Sequence, residues 1–151
     1  MNKKFAILIV VITGIFLAGC DHASHTDSHD AHKSHLNAEH RPLVLNQGQR
    51  WETDDPTRAG MRELKAKVET FKKKDQAQSQ DFKDLADVVK GDVNTILQKC
   101  TMTGAGHTEL HKYIAAVLRD AEGLRSRQPE QAESAFKKLE AELQLFDRYF
   151  Q

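Results

Sequence analysis

The sequence predicts an all-α protein, an antiparallel up-down-up-down four-helix bundle carried behind an export signal and a disordered, histidine-rich tether. Three observations predict the bundle. Between Asp55 and Phe150, apolar residues recur every three or four positions in four separate runs. The runs are separated by short breaks that contain polar residues, glycine or proline. No run alternates apolar with polar residues as a half-buried strand does. The chain has 151 residues, room for one ordinary domain and too few for a multi-domain enzyme.

The first element is a leader. Met1, Asn2, Lys3 and Lys4 make a short basic start, Phe5 to Ala18 is almost wholly apolar, and Leu17-Ala18-Gly19-Cys20 ends it in small residues before a cysteine. That is the anatomy of a secretory signal over 1–19, since the run is short for a membrane span and ends in a processing site. Leu17-Ala18-Gly19-Cys20 resembles the bacterial lipobox, which implies cleavage before Cys20 and acylation of its thiol and new amino terminus, palmitate included. Two or three acyl chains anchor a protein firmly, because each buried CH₂ contributes roughly 0.8 kcal/mol. The expected location is therefore the cell envelope, periplasm-facing, and Asp21 after the cysteine resembles an inner-membrane retention signal. An ordinary cleaved signal with an incidental Cys20 is the alternative.

Without Lys3 and Lys4, the 22 basic residues of the full chain fall to 20, against 22 acidic ones. A balance so close to neutral excludes a strongly basic nucleic-acid binder.

Residues 20–42 form the expected tether. Six of the eight histidines, His22, His25, His29, His32, His35 and His40, lie here among Asp21, Asp27, Asp30 and Glu39, with no aromatic residue. Such a segment has nothing to bury and stays unfolded. Imidazoles recurring every three or four residues meet one Zn²⁺, Cu²⁺ or Ni²⁺ when the chain coils around it, so weak, unselective metal capture is expected; a merely polar spacer is the alternative.

The expected domain spans 43–151. Leu43-Val44-Leu45 is a short apolar stretch, Gly48 marks a turn, and Trp51 is a large anchor. Asp55-Pro56 opens the first helix, with Asp as cap and Pro in the first helical position. Met61, Leu64, Val68 and Phe71 form its stripe, and Lys72-Lys73-Lys74 closes it at the negative end of its dipole. The second helix starts near Ser79 or Asp81 and carries Phe82, Leu85, Val89, Val93, Ile96 and Cys100, which puts Cys100 on the buried stripe of the last turn. Thr101 to Gly106 connects it to a third helix bearing His107, Leu110, Ile114, Val117, Ala121 and Leu124. Ser126 to Pro129 is the last break, and Ala132, Phe136, Leu139, Leu143, Phe146 and Phe150 form the fourth stripe. Short connections make neighbouring helices antiparallel. Trp51, Phe146, Tyr149 and Phe150 are then expected around Cys100 to His111.

That stretch holds the candidate chemistry. Cys100, Met102, His107 and His111 are four soft or borderline donors within twelve residues. His107 and His111 share one helical face a turn apart. Thiolate with thioether selects Cu(I), and thiolate with two imidazoles also suits Zn²⁺, so copper and then zinc are the expected ions. The positive end of the third helix keeps both imidazoles neutral and available, while the two helix dipoles oppose each other at Cys100. An enzyme is not expected. His107-Thr108-Glu109-Leu110-His111 is H-x-E-x-H and not the H-E-x-x-H of zinc proteases, and Glu109 projects away from both histidines. No C-x-x-C-H for haem and no glycine-rich nucleotide loop occurs.

Leu43 to Trp51 reads L-x-L-N-x-G-x-x-W, Cys100 to Lys112 reads C-T-M-x-G-x-x-H-x-E-L-H-K, and Phe146 to Gln151 is aromatic-rich. In these features the chain resembles a family of small bacterial lipoproteins. The resemblance covers 43–151 and implies a helical bundle with a shared site. The expected function is metal binding at the membrane for buffering, sensing or delivery to an efflux or sensing protein of the envelope. The alternatives are an interaction lipoprotein whose bundle docks a partner, with the cluster only packing, and a redox role for Cys100 as a lone exported thiol.

Overall fold

The structure, a computed structural model, describes residues 42–151. The signal over 1–19, the lipidated Cys20 and the tether histidines His22, His25, His29, His32, His35 and His40 lie outside the described residues. Four helices follow: α1 (Asp55–Lys72), α2 (Ser79–Lys99), α3 (Gly104–Gly123) and α4 (Pro129–Tyr149).

Ion pairs show the antiparallel order. On α1 and α4, Lys65 meets Asp147 at 2.6 Å and Lys72 meets Glu140 at 2.9 Å, so one helix runs forward as the other runs back. Lys67–Asp92 pairs α1 with α2 in the same sense, Lys74 just beyond α1 meets Asp81 at the start of α2, and Arg125 just beyond α3 meets Asp87 of α2. These exposed pairs contribute little energy. The core supplies it: Met61, Leu64, Val89, Val93, Leu110, Val117 and Leu139 are fully buried on the predicted stripes. Aromatic clusters close each end. Phe71, Phe82 and Phe136 meet at 5.2–6.3 Å between centroids, and Tyr113, Phe146 and Phe150 at 5.2–5.7 Å. No helix among the described residues is long and apolar enough to cross a membrane.

Three boundaries differ from the sequence reading. The cap of α1 is Asp54, one residue earlier, because its Oδ1 accepts from the Thr57 amide at 2.9 Å. The helix α3 begins at Gly104, three residues before His107, so both glycines of the connection belong to its first turn. Cys100 follows the last turn of α2 in an extended conformation (ψ 126°) and is half-buried.

Ahead of α1 the chain forms a strap. Asn46 and Gln49 exchange backbone hydrogen bonds of 2.8 and 2.9 Å around Gln47 and Gly48, both at positive φ (50° and 87°). That backbone needs a residue tolerant of the left-handed region, which Gly48 supplies. Trp51 then pairs with the end of α4. Its amide donates to the Tyr149 carbonyl at 2.7 Å, and its carbonyl accepts from the Gln151 amide at 2.9 Å.

Candidate metal site

The strap, the start of α1, the turn between α2 and α3, and the end of α4 meet at one end of the bundle, where all four candidate donors lie. Interlocking contacts build this end. Trp51 lies over Gly106, where an added Cβ would stand 3.2 Å from the ring and 3.5 Å from the Met102 methyl. The Trp51 indole N–H donates to the Val44 carbonyl at 2.7 Å. The Val44 amide in turn donates to Glu109 Oε2 at 3.1 Å, while Lys112 pairs with Oε1. Glu109 is only 5% exposed. A buried carboxylate persists only with such partners.

Asp54 forms the second lock. Besides capping α1, its Oδ2 accepts from the Thr101 amide and, at 2.9 Å, from the Thr101 hydroxyl. Desolvation pushes the carboxyl up, and the hydrogen bonds from Thr57 and Thr101 together outweigh it, holding Asp54 well below the usual carboxylate range.

The imidazoles of His107 and His111 converge. Their Nε2 atoms are 2.9 Å apart, with the rings edge to face at 4.3 Å between centroids. In this contact one ring donates and the other accepts, the roles following the tautomer. A shared cation is the other species that satisfies two facing lone pairs. At metal–nitrogen distances near 2.0–2.1 Å, a spacing of about 2.9 Å corresponds to a right angle at the ion, and a tetrahedral ion needs about 3.3 Å. The pair is therefore close to a cis arrangement on a tetragonal ion and a few tenths of an ångström short for a tetrahedral one.

Cys100 and Met102 stand otherwise. Both are half-buried and packed against the core, and the Met102 methyl adjoins Gly106. Among the described residues, no three His, Cys, Asp or Glu side chains form a metal-holding group, so Cys100 does not complete one with His107 and His111 here. The expected ring of aromatics is partial. Trp51 covers the stretch at Gly106, whereas Phe146 and Phe150 pack on Tyr113, two residues beyond it. Sequence reasoning missed Asp54, Thr101, Gly106 and Glu109 as the parts of a lock. Thr101 and Glu109 are marked residues of the stretch Cys100 to Lys112, but their partners Asp54 and Val44, like Gly106, fall outside the marked positions. A groove of about 570 Å³ between α1 and α2 is lined by Phe71, Leu85 and Val88 and lies at the far end from the imidazoles.

Compared with family models, curated proteins and solved structures, the chain matches none.

Proposed function

We propose that this chain is a bacterial envelope lipoprotein, anchored by an acylated Cys20, that holds a transition-metal ion at His107 and His111 for buffering, sensing or delivery. Copper is the first candidate and zinc the second. One observation carries the reading: the two Nε2 atoms meet at 2.9 Å on adjacent turns of α3. Thr101, Gly106, Glu109 and Lys112 have structural duties in the locks around them. The near-right angle open to a shared ion supports copper(II) over zinc. Cys100 and Met102 are the nearest soft donors in sequence, and a copper(I) state would draw on them if the turn between α2 and α3 opens.

The test is thermal unfolding of residues 42–151 with Cu²⁺, Zn²⁺ or no metal. An ion bound only by the folded state at about 100 times its Kd adds about 2.7 kcal/mol. That raises the midpoint by several degrees in a domain of this size. The rise should vanish in the double variant His107→Ala, His111→Ala and should persist in Glu109→Gln. An unchanged midpoint with both metals sinks the reading. The interlocking of strap and motif then favours the second reading, a bundle whose strap end docks a partner. Anchoring has its own check, since acyl labelling in cells should be lost in Cys20→Ala.

A further inference from the structure

The His107–His111 pair supplies two ligands, whereas zinc and copper take about four. No third His, Cys, Asp or Glu among the described residues joins them. The spacing of the pair defines what completes it. Two Nε2 atoms 2.9 Å apart occupy neighbouring corners of a tetragonal ion. The two corners left over are also neighbours, with the same right angle and the same spacing. A single group that fills both must present two donors at that spacing on a rigid support. The first two turns of α3 present such a group in every copy of this chain.

The surface beside the pair suits a second copy. Gly104, Thr108, His111, Ala115 and Leu118 follow one another at steps of four, three, four and three, with His107 one turn before His111, so they share one side of α3. All are exposed or half-buried. None carries a fixed charge, in a chain of which 29% is charged. The charges nearest the pair along the helix, Glu109 and Lys112, are bound to each other. Two identical faces of this kind meet without setting like charges against one another.

Resting on the proposed metal pair, we infer that the ion is shared by two copies of this chain, each giving His107 and His111, so that four imidazoles surround it about a two-fold axis. An isologous contact sets the same patch of each copy against the other, which brings pair to pair. Two right-angled pairs facing each other close a square of four nitrogens, the arrangement copper(II) prefers. The ion is the fastener, and without it the copies separate. Loading with metal thereby converts single chains into pairs, a change of assembly that a sensing or delivery protein of the envelope can read.

The experiment uses the chain from residue 20 onward with Cys20→Ala, and with His22, His25, His29, His32, His35 and His40 changed to Asn. Mass is followed by analytical ultracentrifugation as Cu²⁺ or Zn²⁺ is added, and bound imidazoles are counted by X-ray absorption. The mass should double and saturate at one ion for two chains, with four imidazoles on the ion, and a chelator should restore single chains. The double variant His107→Ala, His111→Ala should stay single and bind no ion, with its helical circular dichroism intact. One ion per chain with two imidazoles and no change of mass overturns the inference, while loss of that ion in the double variant keeps the pair itself. If the double variant binds as the parent does, or the parent binds nothing, the pair reading fails with it. Doubling that persists in the double variant, or that needs no metal, puts the contact elsewhere and overturns the shared site.

Discussion

Glu109 shows how a single carboxylate is kept inside a small protein. One oxygen takes the Val44 amide and the other the Lys112 ammonium, so the side chain is 5% exposed with both oxygens engaged. Removing it deprives the part-buried Val44 amide and the Lys112 ammonium of this partner, and the net loss of a hydrogen bond costs about 0.5–1.5 kcal/mol. Glu109→Ala should therefore lower the urea midpoint and shift Trp51 fluorescence to the red, because the indole is held through Val44. Glu109→Gln retains an acceptor for the amide and should recover most of the Trp51 signal. If both variants leave the fluorescence unchanged, Glu109 does not hold the strap. This role was hidden in the sequence for a definite reason. On a helix Glu109 faces away from His107 and His111, as expected, but periodicity says nothing about a partner 65 residues away.

At the scale of elements, the apolar steps of three and four were enough to find all four helices, since each stripe must be buried against another. The ends were less legible. Asp54 and Asp55 are adjacent capping residues, and only the contact with Thr101 decides between them: the carboxylate that also holds the turn between α2 and α3 becomes the cap. Gly104 and Gly106 read as loop residues because glycine lowers helix propensity. Gly106 lies in the first turn of α3, where a Cβ would crowd the Trp51 ring at 3.2 Å. Asp54 links these elements to pH. Its folded carboxyl titrates below its ordinary value of 3.8, so its contribution is complete above that value and is lost as pH falls through the lower folded one. The stability of the wild type should thus fall between pH 4 and lower pH more steeply than that of Asp54→Asn, which should be less stable at pH 7 and flatter in acid. Parallel acid limbs in chemical denaturation would show that Asp54 gains nothing from Thr57 and Thr101 on folding.

Across the whole molecule, the strap end gathers the end of α4, the strap and the imidazole pair, whereas Phe71, Phe82 and Phe136 cluster at the far end. Sequence spacing located the pair but not the separation of Cys100 from it, because Cys100 leaves the helical stripe once α2 ends at Lys99. The shared footing of strap and pair gives a whole-molecule prediction. An ion joining His107 to His111 staples one helical turn, and Glu109, within that turn, holds the Val44 amide. Any opening that releases Val44 by fraying this turn must then also release the ion. Hydrogen exchange at Val44 should slow by up to about 100-fold at 100 times the metal Kd, the factor by which bound ion depletes the open form. Amides near Phe82, at the opposite end, should slow only if they exchange through global unfolding. His107→Ala should abolish the protection at Val44 while leaving metal-free exchange there nearly unchanged, since the lock does not use the imidazole. Protection spread evenly over the four helices would mean that the strap and the pair open independently, with metal acting only on the unfolding of the whole bundle.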